Sequence, residues 1–289
     1  MPAKANRKSP QPEPVPPAAE APAPQQSLGR PSAKDIFAEV ATNARRELRR
    51  TNLALAISGL GGGAFLGLSA LGMAFVEVLL GRSSADHLIA AMFYPVGFIV
   101  VIIGRSQLFT ENTLYPAALV LAERKHVVNT LRLWTVVLPA NLAGALGFAA
   151  IAVFTSGIDR RFVDAISQLG TGALNHPFTA IFWSGVIAGW LIALTAWLVS
   201  GSHSITGSVM VIWMLTFFIA IGDFAHCVAT SCEILVAVLA GHATWGAYGW
   251  WLIAAVAGNI VGGVVLVAVL EYGQAIFAEE SETEEKKPA

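Results

Sequence analysis

The residues able to do chemistry in this sequence sit in unusual company. His226 lies in "GDFAHCVATSCEIL", inside an apolar run, and Thr110, Glu111 and Asn112 lie in "QLFTEN", inside another. Polar and ionisable groups at membrane depth are costly, so each one is a functional candidate. A neutral imidazole at His226 can donate to a passing anion, and a charged one can attract it. The plain alternative is a core histidine bonded to a carbonyl. Thr110 offers a hydroxyl beside the freed N–H groups of a helix break, where a half-helix N-terminus favours an anion, or it bonds its own helix. Glu111 and Arg105 can pair with each other or with Glu233. Asp223, after Gly222, can cap a resumed helix. Leu108, Phe109, Phe98 and Ile219 flank these positions and can close narrow dry constrictions or simply pack helices.

The elements that must position these groups follow from hydropathy. Of 289 residues, 55% are hydrophobic and 13% charged, against roughly 25% charged in soluble domains. That excludes an ordinary soluble enzyme. Net charge is −1, which gives no basic footprint for nucleic acid. Apolar segments run over 51–80, 88–122, 133–155, 178–200, 206–240 and 249–272, each long enough to cross a bilayer. The expected fold is an all-α polytopic membrane protein of six transmembrane helices. Segments 2 and 5 are too long for one crossing. As straight helices of about 35 residues they would reach about 52 Å. Each carries its polar cluster in the middle, just after Gly104 and Gly222 respectively, so both are expected to break there. Irregular backbone at that depth must line a cavity or be packed in protein.

An internal repeat agrees. Asn141 and Gly144 in segment 3 recur 118 residues later as Asn259 and Gly262 in segment 6, and Phe109 and His226 stand 117 apart. Three crossings per half make the two halves inverted, a 3+3 repeat with paired broken helices and a path between the breaks. Glycines such as those in "GLGGGAFLG" (59–67) favour tight helix packing.

Nine of the fourteen prolines fall between Pro2 and Pro31, so 1–31 reads as a disordered tail. Residues 32–50 read as a basic amphipathic helix at the membrane surface or a stop-transfer charge cluster, 51–272 as the membrane domain and 273–289 as a charged tail. Fourteen Lys and Arg fall on the side of the termini and three, Arg82, Arg160 and Arg161, in the opposite loops. Both termini are therefore expected in the cytoplasm. Cys227 and Cys232 make no disulfide scaffold, no metal-ligand spacing or cofactor motif is present, and no nucleophile or P-loop signature marks an enzyme.

"LFTEN" (108–112), "NLAGAL" (141–146), "GDFAHCVA" (222–229) and "GNIVGG" (258–263) together resemble the formate/nitrite transporter family, over about residues 50–272. The resemblance implies an aquaporin-like inverted repeat of six spans in the bacterial inner membrane. It also implies assembly as a homopentamer in the lipid bilayer, with one pore per protomer for small monovalent anions or their weak acids, with or without a coupled proton. His226 then corresponds to a central histidine between two constrictions, with Thr110, Leu108 and Phe109 in the loop and Phe98 and Ile219 in the constrictions. There are departures. The vestibule lysine of the family falls near Ala173, an asparagine near Gly189, and the Asn after "HxxA" is Thr230. Gln107, Glu111 and "SCEIL" are distinctive and resemble the inner-membrane YfdC-like branch. The added acid and missing lysine leave open a pore for a neutral or cationic solute, and the tail leaves open a structural or regulatory protein without transport.

Overall fold

The computed structural model describes residues 31–81 and 83–285. Nearly all of the Pro-rich tail lies outside them. The described residues are helical throughout, without a strand. Helix α1 (Ala33–Leu48) is followed by α2 (Asn52–Leu80), α3 (Ser84–Ala91), α4 (Pro95–Ile103), a single 3₁₀ turn at Glu111–Thr113 and α5 (Tyr115–Glu123). Then come α6 (Val127–Phe154), α7 (Arg160–Leu174), α8 (Phe178–Ser200), α9 (Ile205–Ile221), α10 (Ala229–Leu239) and α11 (Trp245–Val261). The chain passes through a π-helical stretch, Gly262–Val269, into α12 (Leu270–Glu285).

Among the described residues, five stretches are long and apolar enough to cross a membrane: Asn52–Leu80, Ser84–Ile103, Val127–Phe154, Phe178–Ser200 and Trp245–Phe277. The shorter apolar helices α9 and α10 stand in sequence with a non-helical link between them. Large apolar side chains such as Ile57, Ile151, Trp183, Met210 and Ile253 are exposed around the bundle. Apolar surface on that scale needs lipid or another subunit as its solvent.

Small residues set the packing. A Cβ on Gly63 would lie 1.8 Å from the carbonyl oxygen of Asn141, and one on Gly144 would lie 2.0 Å from that of Leu60. Helices α2 and α6 can approach this closely only through glycine. The same joint recurs between α8 and α11. A Cβ on Gly189 would lie 2.3 Å from the Asn259 carbonyl and one on Gly262 2.1 Å from that of Val186. The chain therefore repeats backbone contacts as well as sequence.

Three elements differ from expectation. Residues 156–177, read as a loop, contain helix α7. Asp159 caps it by accepting from the Arg161 N–H, and Val163, Ile166 and Gly170 bury one face against α10. Arg160 and Arg161 thus open a helix. Helix α1 is capped by a reciprocal Ser32–Asp35 box. Its apolar face packs on protein: Val40 and Ala44 are fully buried with Leu114, Leu119 and Ala196, and Phe37 meets Tyr272 at 5.5 Å. Helix α12 continues to Glu285, across the boundary drawn at 272.

Candidate functional site

The two helix breaks have one design. Helix α4 ends with Gly104, then Arg105 in the left-handed conformation (φ 59°), and α9 ends with Gly222, then Asp223 (φ 49°). In each, the N–H of the left-handed residue bonds back three residues, and the next N–H bonds back five. Arg105 N donates to Ile102 O and Ser106 N to Val101 O; Asp223 N donates to Ala220 O and Phe224 N to Ile219 O. This is a Schellman ending, normally built with glycine at the left-handed position. Here the glycine precedes it, and Asp223 caps nothing.

Beyond each ending the chain runs without a helical ladder, so its polar groups need other partners. Asparagine supplies them. Asn141 Nδ2 donates to Gly59 O (2.7 Å) and Gln107 O (2.9 Å), and its Oδ1 accepts from Phe109 N (2.9 Å). Asn259 Nδ2 donates to Gly185 O and Ala225 O (both 2.8 Å), and its Oδ1 accepts from Cys227 N (2.9 Å). Ser58 accepts from Gln107 N as Ser184 does from Ala225 N. The register of the repeat is therefore 118 here, and Phe109 matches Cys227. The expected pairing of Phe109 with His226 is one residue out, and the partner of His226 is Leu108.

These pegs bring the breaks together. His226, fully buried, lies 2.8 Å from Thr110 Oγ1 through Nε2. Its Nδ1 accepts from Ala229 N at 3.0 Å. With Nδ1 committed as acceptor, the proton of the neutral ring is on Nε2 and is donated to Thr110. The Thr110 hydroxyl proton is then left without an acceptor among the described residues. Phe98 closes over the imidazole edge-on, ring centres 5.0 Å apart. Phe98, Leu108, Phe109 and Ile219 are each at most 1% exposed. Phe109 also packs against Trp134 (5.9 Å), whose indole N–H holds Asn112 O.

Cavities lie on either side of this plug. One, of about 590 Å³, is lined by Ile219, Asp223, Thr230 and Glu233 together with Tyr94, His87 and His176. Ala173, near which the family resemblance would put a lysine, lines it too, and no lysine or arginine does among the described residues. The other, about 40 Å³, is lined by Leu108, Glu111, Arg105, Gln107 and Asn112, and by Asn43, Arg46 and Glu47 of α1. Glu47 accepts from Gln107 Nε2 (2.7 Å), whose Oε1 accepts from Asn112 (2.9 Å). Helix α1 thus roofs this pocket. The same end of α1 is tied down by Glu123, which takes Arg45 at 2.6 Å and also holds Lys125 at 2.9 Å and His126 at 3.0 Å.

Of the sequence candidates, the structure brings His226, Thr110 and Phe98 into contact. Ile219 and Thr230 fall in the large cavity, and Leu108 and Glu111 in the small one. Arg105 and Glu111 share a pocket without forming a salt bridge, and Glu233 is remote from both, in the other cavity. Sequence reading passed over Tyr94, Glu47 and the cavity histidine His87. No sequence signal separates a cavity-facing Tyr from an interfacial one. No group of His, Cys, Asp or Glu among the described residues is placed to hold a metal.

An all-helical bundle with apolar outer faces, helix endings repeated 118 residues apart and a buried plug beside cavities defines a multi-pass membrane protein of the channel or transporter class. The chain belongs to the formate/nitrite transporter family, whose model matches residues 34–273. It is 32% identical to the inner membrane protein YfdC of Escherichia coli (strain K12) over 244 residues, 83% of this chain and 77% of that one. It is thus a multi-pass protein of the bacterial inner membrane. A solved FNT family ion channel superposes with a TM-score of 0.75 at 22% identity, covering 82% of this chain and 98% of that one. A pentameric formate channel with formate bound gives 0.64 at 20% identity, covering 76% and 96%.

Proposed function

We propose that this chain carries small monovalent anions of the formate and nitrite type, or their conjugate weak acids, across the inner membrane. The reading takes six crossings, with α4–α5 and α9–α10 each forming one broken crossing. Residues 51–272 form the transport domain, both termini are cytoplasmic, and the assembly is a homopentamer. The α1 side is then the cytoplasmic vestibule and the 590 Å³ cavity the periplasmic one. The positive-inside tally supports the orientation, and the pentameric formate channel of like fold supports the assembly.

The observation that carries the reading is the His226–Thr110 pair. It is a fully buried contact between the two breaks, in which His226 donates to Thr110 and Thr110 keeps a spare proton. An oxyanion or acid entering between Phe98 and Leu108 replaces that contact and accepts from both groups. Dry walls make a bare anion costly there, so the neutral acid is the cheaper species to pass. His226, Thr110, Leu108, Phe109, Phe98 and Ile219 are assigned to the path, and Glu111 and Thr230 to its mouths. Gly104, Gly222, Asn141, Gly144, Asn259 and Gly262 are assigned to its frame.

The test is uptake of labelled formate and nitrite into proteoliposomes holding the full chain. His226→Phe removes one charge-assisted hydrogen bond in the crossing state, worth about 1.5–3 kcal/mol, or roughly ten- to more than a hundredfold in rate. His226→Asn keeps a donor and should retain part of the flux. Wild-type flux in His226→Phe from pH 5 to 8 would make the histidine structural. A second reading, a pore for a neutral or cationic solute, draws on the acidic lining of the large cavity. Methylammonium flux in the absence of formate flux would establish it.

A further inference from the structure

Glu233 is a buried carboxyl that the pair at the centre of the path does not use. It stands on α10 one turn beyond Thr230, is 7% exposed, and lines the large cavity. It has neither a hydrogen bond nor a salt bridge among the described residues. Among the described residues, the charged groups acting on it are acids, Asp223 from the second break and Glu77 from α2. Tyr94, at the N-cap of α4, and Cys232 on its own helix are its other titratable neighbours. Helix α7 turns Gln168 into the cavity and α11 turns Trp251, α6 contributes nothing, and His87 and His176 are the lining groups able to become cationic. The residue 118 earlier is Tyr115, which lines the α1-side pocket. The fold therefore gives this position to a vestibule in both halves.

A carboxylate here repels an arriving anion, whereas a carboxylic acid can donate to it. Carboxylates gathered around one poorly solvated cavity resist ionising together, and a proton is held among them. With no lysine or arginine in the lining among the described residues, a proton is the neutralising charge at hand. We propose that Glu233 is the proton-exchange group of this cavity. It meets the arriving oxyanion in its acid form and passes it the proton with which it crosses. This rests on the anion reading above. The O–H bond of Glu233 breaks as an O–H bond forms on the substrate oxygen. No electrons change hands, and the carboxylate left behind regains its proton from water in the open cavity.

The experiment uses proteoliposomes of the full chain, with labelled formate outside and a pH-sensitive dye in the lumen. In the wild type, formate and proton entry should rise together as external pH falls from 8 to 6. E233Q, which keeps size and hydrogen bonding but cannot titrate, should cut formate entry about tenfold or more and flatten its pH profile. E233D should keep the profile at a reduced rate. A wild-type rate and profile in E233Q would overturn the role of Glu233 alone, as would faster uptake, which would mark a mere repulsive charge. Absence of formate and nitrite flux in the wild type would overturn the anion reading and this role with it. Should E233Q fail to assemble, dicyclohexylcarbodiimide labelling of the wild type decides. The reagent attacks protonated buried carboxyls, so the peptide bearing Glu233 should be labelled and formate should protect it. An unlabelled or unprotected Glu233 would refute the role.

Discussion

Asn141→Ala and Asn259→Ala should damage the protein by similar amounts. Each asparagine makes three hydrogen bonds, two to the non-helical backbone and one to a helix carbonyl. In Asn259→Ala, Cys227 N–H and Ala225 C=O lose their partners in the interior; in Asn141→Ala, Phe109 N–H and Gln107 C=O do. Side-chain hydrogen bonds in membrane proteins average about 0.6 kcal/mol, giving a lower bound near 2 kcal/mol for three. Two orphaned backbone groups at about 1–3 kcal/mol each give an upper bound near 6 kcal/mol. At roughly 2–4 °C per kcal/mol for a domain of this size, the midpoint should fall by roughly 5–20 °C. Thermal unfolding in detergent, followed by size exclusion and paired with formate flux, measures this. Asn→Asp should not rescue, since it keeps the acceptor but sets a carboxylate against two carbonyl oxygens. A shift below about 2 °C at either site, or a loss at one site only, would show that something else holds that break.

Gly63→Ala and Gly189→Ala each drive a Cβ into a backbone carbonyl of the facing helix. They should cost at least the upper end of the about 1–3 kcal/mol usual for overpacking and abolish monodisperse protein. Gly147→Ala, whose Cβ meets nothing within 4 Å, should be silent, and similar yields for all three would refute the joint. Hydrogen bonds from Lys125, Arg45 and His126 hold the Glu123 carboxyl at about 2, below its usual 4.5. A lowered folded value means that its hold on α1 is full above the usual carboxylate range and fades as pH falls from about 4.5 to about 2. Protease access to α1 should therefore be flat from pH 8 to 5, and Glu123→Gln should raise it at pH 7. Access that climbs between pH 8 and 6 in the wild type would place the latch elsewhere.

The frame of the site was legible because it needs particular residues. Only a side chain with both a donor and an acceptor can satisfy a broken backbone from a neighbouring helix, so Asn141 and Asn259 recur at a fixed spacing. The pairing of Phe109 with His226 failed because the repeat preserves a backbone N–H at the break and not the side chain beside it. The actual match joins Phe109 to Cys227. Helix α7 left a readable signal, with Val163, Ile166 and Gly170 at helical spacing, but it is too polar to register as a span. For α1 the sequence shows an apolar face and cannot say whether lipid or protein covers it; here Leu119 and Ala196 do. Glu233 gave only its identity, because whether an intramembrane acid meets a partner or a cavity depends on helices far away in sequence.

What distinguishes this molecule is the set of positions where the halves disagree. The backbone of the two breaks is matched by the two asparagines, yet His226 corresponds to Leu108 and Thr110 to Val228. Because the breaks face each other, one cross-pair is His226 with Thr110, and its pseudo-symmetric counterpart is Leu108 with Val228, both within the same buried apolar cluster. The wall between the cavities thus sets a polar pair and an apolar pair at equivalent places of the repeat. A species passing through finds donors on a single side. That suits a small oxyanion or acid, whose oxygens can turn toward the donors while its remainder faces Leu108 and Phe98, and it gives little to a cation, which needs acceptors. The acids that would welcome a cation, Glu233 and Glu111, lie outside the plug in the two cavities. There they can govern what arrives and in which protonation state, without touching what the central pair accepts.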